Sequence, residues 1–232
     1  MGTVKQHDFV EIEYTGMIKE DGTVFDTTDA KLAHDHDHGH DHGHEGHEHG
    51  PVVICVGQNQ MLPALEQQIL GKESGKEFSV ELNPDESFGR RDAKMIQLIS
   101  MSKFKQQKIQ PFPGLQLNID GAFGIVKTVS GGRCYVDFNH PLAGKDVVYK
   151  VKINKILNDS KEKLASLVKT LMETKDAEIE ITGDNAKVYL SQKIADEVTA
   201  EFNKAAQKVI PEIKKVEFAI KEAKKPAEST KQ

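Results

Sequence analysis

The sequence has no tryptophan and only two cysteines among its 232 residues. Cys55 and Cys134 are too few for a disulfide framework, which favours a reduced, cytoplasmic protein. No apolar run approaches the roughly 18 residues that a membrane-spanning helix needs. Charged residues interrupt the N-terminus where a signal peptide would have its apolar core. We therefore expect a cytoplasmic protein that does not contact a membrane.

Basic charge is also in short supply, since 31 Lys and Arg residues face 36 Asp and Glu residues and the net charge is −5. Nucleic acid is therefore not an expected partner. The chain lacks a GxSxG nucleophile motif, a P-loop and a GxGxxG turn. Only His7 and His140 lie outside one His-rich tract, and both are more simply explained as surface or structural residues. An enzyme with this sequence must use chemistry that needs little acid–base help.

Hydrophobic periodicity predicts the secondary structure of the N-terminal part. Residues 8–18, with the exception of Phe9, and residues 76–82 and 147–153 alternate apolar and polar side chains, which predicts strands. Residues 61–70 place apolar side chains three and four positions apart, which predicts a helix with Pro63 in its first turn.

Two further regions are predicted to form modules of their own. Residues 95–138 carry short apolar segments around a Ser-Gly-Gly turn, as is typical of β-structure. Asp159 and Glu162 have the spacing of a capping box that opens a helix. Two strands, a second helix from about Ser191 and a last strand follow. This succession predicts a small αββαβ domain.

The net negative charge belongs to one segment. Residues 29–49 contain six acidic residues and one Lys, which together account for the whole net charge. The same segment has no place in a core from residue 34 onward, because it alternates His with Asp, Gly and Glu. Imidazole is a common ligand of Ni, Zn and Cu ions, so we expect metal binding by His34, His36, His38, His40, His42, His44, His47 and His49.

Five segments in a fixed order carry a family resemblance. They resemble the FKBP-type peptidyl-prolyl cis-trans isomerases: VEIEYTG (10–16), VFDTT (24–28), MLPALEQQILG (61–71), KEFSVELNPDESFG (76–89) and VVYKVKI (147–153). The insert that ends in NHPLAGK (139–145) resembles the long, SlyD-like branch with an inserted chaperone domain. The C-terminal domain resembles the one that long archaeal members carry.

The resemblance implies an isomerase pocket, and isomerisation requires no cofactor. The residues implied are Tyr14, Phe25, Asp26, Ile54, Met61, Leu62, Leu65, Phe88 and Tyr149. Leu65 stands where many members have a Trp at the pocket floor, and Phe88 where many have a Tyr. The Leu62 backbone N–H would hold a substrate carbonyl, and Asp26 would contact the substrate or orient Tyr14. Taken singly, each aromatic residue would be read as ordinary core.

The inserted module is implied to bind unfolded chains, so the expected partners are X–Pro peptides and unfolded or partly folded polypeptides. Methionine suits such surfaces because it adapts to many shapes. The expected client-binding residues are Met95, Ile96, Ile99, Met101, Phe104, Phe112 and Phe123, some of which would also form the module's core.

The sequence thus predicts an α+β protein. Its parts are an FKBP-like antiparallel half-barrel sheet wrapped on one helix (1–88 and 139–156, with the His-rich flap insertion at 31–49), an inserted β-rich domain (89–138) and a C-terminal αββαβ domain (157–232). The C-terminal strands offer edges for a homodimer. The predicted function is prolyl isomerisation with chaperone activity. The alternatives are a chaperone or a metal-handling protein with a vestigial isomerase pocket.

The His-rich tract generates one testable prediction. It lies between the pocket candidates Asp26 and Ile54, so metal binding is expected to change access to the pocket. Prolyl isomerisation would be measured with and without Ni or Zn ions, on the full chain and on a chain lacking residues 31–49. We expect the metal to change the rate of the full chain alone, and equal rates in all four conditions would contradict the prediction.

Overall fold

The fold is described from a computed structural model, which covers residues 2–35, 50–119, 121–174 and 177–221. The side chains of residues 33–35 are not described. Within these ranges, no helix combines the length and the apolar character needed to cross a membrane.

Five α-helices, two short 3₁₀-helices (Pro84–Glu86 and Ala93–Met95) and twelve strands lie within the described residues. The N-terminal elements are β1 (Phe9–Ile18), β2 (Val24–Thr27), α1 (Ala30–Asp35), β3 (Val52–Cys55), α2 (Pro63–Ile69) and β4 (Glu77–Leu82). The inserted module contains β5 (Ile96–Ser100), α3 (Met101–Gln106), β6 (Gln116–Ile119), β7 (Ala122–Ser130) and β8 (Arg133–Asp137). The chain ends with β9 (Val147–Leu157), α4 (Ser160–Met172), β10 (Glu178–Thr182), β11 (Asn185–Leu190), α5 (Asp196–Val209) and β12 (Lys215–Ile220).

Three sheets contain these strands. The first has the order β2-β1-β9-β4, with β3 also paired to β1. The second, in the inserted module, has the order β5-β8-β7-β6, and the third has the order β10-β11-β12. Backbone contacts divide the chain into two compact units, Met1–Thr15 with Asp26–Val80 and Lys150–Gln232, and Gly16–Phe25 with Glu81–Tyr149.

Phe9 explains why β1 departs from strict alternation. Val10 pairs with Ile54 and Phe9 with Cys55 in the antiparallel β1–β3 register, so Val10 and Phe9 face opposite sides of the sheet. Phe9 and Cys55 are buried in one core with residues of the C-terminal domain such as Leu164. Both faces of this part of β1 are therefore covered, and a simple alternation of apolar and polar residues is not required.

The elements that follow β9 have the order αββαβ. Asp159 caps α4, because its carboxylate accepts hydrogen bonds from the N–H groups of Lys161 and Glu162. The prediction for the second helix was wrong at its start, since α5 begins at Asp196 and not near Ser191. The spacing of apolar residues in α5 predicts which face of the helix is buried, but it does not predict the residue at which the helix begins.

The inserted module is a four-stranded antiparallel sheet with a helix, α3, that the sequence pattern did not predict. Phe104 on this helix is only 3% exposed and packs with Val126, Cys134 and Val136 in the module's core. The β7–β8 hairpin turns at Gly131 and Gly132, where the sequence predicts it. Both glycines have positive φ angles, which a two-residue hairpin turn of this kind needs.

Candidate active site

Three predicted pocket residues of the second unit form one aromatic cluster. Phe25 meets Phe88 edge to face with ring centroids 5.7 Å apart. It meets Tyr149 in the same way, also at 5.7 Å. Edge-to-face packing places the positive edge of one ring on the negative face of another, and each such pair is worth about 0.5–1.5 kcal/mol. The Phe25, Phe88 and Tyr149 rings therefore hold one another in place.

Gly16 on β1 makes room for this cluster. A Cβ atom at residue 16 would lie 2.8 Å from Cζ of Phe25 and 2.9 Å from Cε1 of Tyr149. These distances are shorter than a carbon–carbon contact allows, so any larger residue would displace the rings. This role of Gly16 cannot be predicted from the sequence pattern, because the rings that approach it come from distant segments of the chain.

His140 adds a fourth ring that the sequence analysis did not predict to act. Its imidazole stacks on Phe88 with centroids 4.7 Å apart and planes within 4° of parallel. The backbone N–H of Leu142 donates to His140 Nδ1 at 3.2 Å, so this nitrogen has to be unprotonated. Partial burial lowers the pKa of His140 below its ordinary value of 6.5. His140 is therefore neutral at pH 7 while it stacks.

Tyr14 and Asp26 contact each other within the first unit. The Tyr14 hydroxyl donates a hydrogen bond of 3.0 Å to Oδ2 of Asp26. Thr28 fixes the Tyr14 backbone, because the Tyr14 N–H donates to Thr28 Oγ1 at 2.9 Å and the Thr28 N–H donates to the Tyr14 carbonyl at 3.0 Å. The contact between the carboxylate and Tyr14 corresponds to one of the two roles that the family resemblance implies for Asp26, the other being a contact with the substrate.

The loop before α2 is held by a buried carboxylate that the sequence analysis missed. Glu66 is only 3% exposed, and its side chain accepts hydrogen bonds from the N–H groups of Gly57 and Gln60, both at 2.7 Å, and of Met61 at 3.3 Å. A buried carboxylate needs such donors, and hydrogen bonds to charged groups are among the stronger ones. Glu66 therefore fixes the backbone that leads to Leu62.

The remaining predicted pocket residues also lie in the first unit. Ile54 and Leu65 are buried, and Met61 and Leu62 are half-buried. Leu65 is only 1% exposed, so in this structure it packs in the core and is not open to a ligand.

Tyr14 also lines an open cleft of about 410 Å³ in the first unit. Glu13, Glu77, Lys150 and Lys152 give this cleft a charged lining. An X–Pro bond is expected to isomerise in dry, apolar surroundings. The cleft does not offer them, so we assign it no part in the reaction.

The predicted client-binding residues divide into two groups. Met95, Ile96, Phe112 and Phe123 are exposed, with Phe112 the most exposed of them at 57%. Phe104 is in the core, and Ile99 and Met101 pack against that core, so the prediction of a client surface is wrong for Phe104. Leu98 and Tyr135 are also exposed, and they are direct cross-strand partners on β5 and β8.

The metal prediction falls outside what the structure describes. His36, His38, His40, His42, His44, His47 and His49 lie outside the described residues, and His34 is placed only by its backbone at the end of α1. Elsewhere in the described part of the chain, no three His, Cys, Asp or Glu side chains come together as a metal site would need. Metal binding by the tract stays a prediction.

Comparison with known proteins identifies two matching family models. The model described as "FKBP-type peptidyl-prolyl cis-trans isomerase" matches residues 2–111, and the model described as "FKBP26, IF domain" matches residues 97–142.

Curated relatives are similar over the same part of the chain. A short-type peptidyl-prolyl cis-trans isomerase of Methanocaldococcus jannaschii is 27% identical over 153 residues, which is 66% of this chain and 94% of the relative. An FKBP-type 16 kDa isomerase of Escherichia coli is 30% identical over 110 residues, 46% of this chain and 74% of the relative. The isomerase SlyD of Aeromonas hydrophila is 27% identical over 158 residues, 67% of this chain and 66% of the relative.

The buried carboxylate of Glu66 generates a prediction. In Glu66→Gln, one of the two acceptor oxygens becomes an NH₂ group that faces backbone N–H donors, and each buried unpaired donor costs about 1–3 kcal/mol. We expect the free energy of unfolding to fall by about that amount. Amide hydrogen exchange at Gly57 and Gln60 is expected to become faster.

The matched control is Glu20→Gln, at an exposed turn position. This change is expected to alter the free energy of unfolding by no more than about 0.5 kcal/mol. It is expected to leave amide hydrogen exchange at Gly57 and Gln60 as it is in the starting chain. Equal effects of the two substitutions would contradict the assigned role of Glu66.

Proposed function

We propose a mechanism for this chain from one premise: it belongs to the FKBP-type peptidyl-prolyl cis-trans isomerase family, and it is an isomerase. Its reaction is rotation about the peptide bond that precedes proline. The barrier is about 18–20 kcal/mol because the amide resonance is lost as the bond twists. No cofactor is needed, and the enzyme has only to bind the twisted amide more tightly than the planar one.

The aromatic cluster of Phe25, Phe88 and Tyr149 is the observation that carries the proposal. Mutually fixed rings offer a rigid apolar surface on which a prolyl ring can pack. Apolar surroundings disfavour the polar resonance form of the amide, which is the planar form, so they favour the twisted one. Because the rings are already in place, little free energy is lost in ordering them when the peptide binds.

The polar residues of the predicted site would orient the peptide. Tyr14 is held by Asp26 and Thr28, so its ring and hydroxyl have a fixed direction. The N–H of Leu62 would donate to a substrate carbonyl, and Glu66 supports this role because it fixes the backbone of the loop before Leu62. Ile54 and Met61 are the other apolar residues proposed to contact the peptide, and Leu65 is buried in the core.

The inserted module would supply clients to the reaction. Its exposed apolar side chains are Met95, Ile96, Leu98, Phe112, Phe123 and Tyr135. Exposed apolar residues gathered on one module favour a binding surface for unfolded chains. A client held there keeps its prolines at a high local concentration, which accelerates isomerisation without any new catalytic contact.

Two other predictions remain proposals. One is modulation of access by metal at the His-rich tract. The other is a homodimer through the C-terminal domain, for which the edge position of β12 in the sheet of the described residues and the 56% exposed Ile220 at its end are favourable. The competing function, a chaperone with a vestigial pocket, requires that the chain suppress aggregation without isomerising a short X–Pro peptide.

The isomerase assignment is tested with Phe25→Leu. This change removes two edge-to-face pairs worth about 0.5–1.5 kcal/mol each, so kcat/KM for a short X–Pro peptide is expected to fall about 10-fold or more. The measurement is isomerisation of the peptide followed by exchange NMR.

The matched control is Phe123→Leu on the inserted module, which is expected to change the peptide rate by less than about twofold because Phe123 is exposed and makes none of the ring contacts of the cluster. An unchanged rate in Phe25→Leu would contradict the proposed site. Suppressed aggregation by a full chain that leaves the peptide rate at its uncatalysed value would favour the chaperone alternative.

His140 generates a prediction for the dependence on pH. Protonation removes the acceptor at Nδ1 and places a charge against the Phe88 ring cluster, so the neutral form is the active one. Since the folded-state pKa is lowered, kcat/KM is expected to fall on acidification with a midpoint below 6.5.

The acid limb should disappear in His140→Gln and persist in His7→Gln, which changes the other histidine outside the tract. An acid limb that survives in His140→Gln would show that another group is responsible.

A further inference from the structure

Two linkers connect the aromatic cluster to the inserted module. The outgoing linker runs from Phe88 to Met95, and the returning linker runs from Asp137 at the end of β8 to Val147 at the start of β9. Both lie in the second compact unit. Non-covalent contacts join the two linkers at several points between Phe88 and Met95.

The contacts between the linkers that lie nearest the cluster are a ring stack and a backbone hydrogen bond. Phe88 on the outgoing linker stacks on His140 on the returning one. The next contact is a hydrogen bond of 2.8 Å from the Gly144 N–H to the Gly89 carbonyl. The two linkers therefore first meet at Phe88, a residue of the proposed active site.

Farther from the cluster, an ion pair and two hydrogen bonds join the two linkers. Arg91 forms an ion pair with Asp137. Asn139 binds the Asp92 backbone twice, because its Oδ1 accepts from the Asp92 N–H at 2.8 Å and its Nδ2 donates to the Asp92 carbonyl at 3.0 Å. We call Arg91, Asp92, Asp137 and Asn139 the linker clasp.

The series of contacts between the linkers ends at the sheet of the inserted module. The Phe138 N–H donates to the Met95 carbonyl at 3.0 Å, and the β5–β8 pairing begins with Ile96 opposite Asp137. An unbroken series of contacts thus joins the Phe88–His140 stack to the strand pair that carries exposed Leu98 and Tyr135.

Asp137 is the centre of the linker clasp. Its side chain is only 5% exposed, so its charge needs partners inside the fold. Burial raises the pKa of Asp137, but the backbone and side-chain N–H donors of Asn139 and the charge of Arg91 lower it by more, and the net pKa is below the usual value. The carboxylate is therefore ionised at neutral pH, and the clasp is complete there.

A neighbouring ion pair shows what the clasp adds. Arg90 pairs with Asp85, but both residues belong to the outgoing side of the chain and both side chains are mostly exposed. Exposed pairs of this kind contribute little. Arg91, one residue later, spans the two linkers to a buried partner, which is a different structural role.

We propose that Arg91, Asp137 and Asn139 are positioning residues, which hold the inserted module in a fixed orientation to the aromatic cluster so that a captured client presents its prolines there. The proposal rests on the proposed function. A fixed orientation raises the effective concentration of the client's prolines, whereas a freely swinging module would spread them over a larger volume. A short peptide does not use the module, so its isomerisation does not depend on the clasp.

The test compares Arg91→Met with Arg90→Met in the full chain. Both changes remove one Arg charge and keep the aliphatic part of the side chain. Three quantities are measured for each: kcat/KM for a short X–Pro peptide, kcat/KM for the proline-limited refolding of an unfolded protein, and suppression of aggregation. Asn139→Ser serves as a second variant, and Arg91→Lys as the conservative one.

We expect Arg91→Met and Asn139→Ser to lower the refolding kcat/KM about 10-fold, while the peptide kcat/KM and the suppression of aggregation change by less than about twofold. Arg90→Met should leave all three quantities unchanged, and Arg91→Lys should recover most of the refolding rate. Thermal unfolding verifies that each variant is folded.

Two results would overturn this proposal alone. If the refolding and peptide rates fall by the same factor, the linker clasp only stabilises the fold. If the refolding rate is unaltered in Arg91→Met and Asn139→Ser, the clasp has no role in presenting clients to the aromatic cluster. A starting chain that fails to isomerise the peptide at all would overturn the proposed function and this proposal together, and so is distinct from the first two results.

Discussion

The packing of Phe25 against Phe88 and Tyr149 is the interaction on which the proposed site depends. The three rings come from three separate segments of the chain, and they can meet only because residue 16 has no side chain. Phe88 also connects the cluster to His140 and hence to the two linkers. One small set of aromatic contacts thus links the reaction surface to the inserted module.

Two buried carboxylates, one in each compact unit, have comparable structural roles. Glu66 holds the loop before α2 through backbone N–H groups, and Asp137 joins two linkers through Asn139 and Arg91. A buried carboxylate is costly without donors, so each one specifies the position of the backbone that supplies them. Chain segments without regular structure gain a defined geometry in this way, which is what a preorganised site requires.

The periodicity of apolar residues predicted most helices and strands. The roles of residues whose partners lie far away in the chain could not be predicted in this way. Period-two alternation located β1, β4 and β9, and helical spacing located α2, because one face of each is buried. The αββαβ order followed in the same way. Helix α3 was missed because it is a single short segment in a β-rich module. Gly16, Glu66 and His140 were missed because their roles come from partners brought close only by the fold.

The central claim is that the ring cluster is the site of isomerisation, and Gly16→Ala tests it most directly. The added methyl group would lie within 3 Å of Phe25 and Tyr149 and displace the rings by a small distance without removing any of them. The account predicts that kcat/KM for a short X–Pro peptide falls about 10- to 100-fold, since displacements of this order are costly at a reaction centre. The circular dichroism spectrum should be unchanged. A folded Gly16→Ala chain with the full peptide rate would contradict the account.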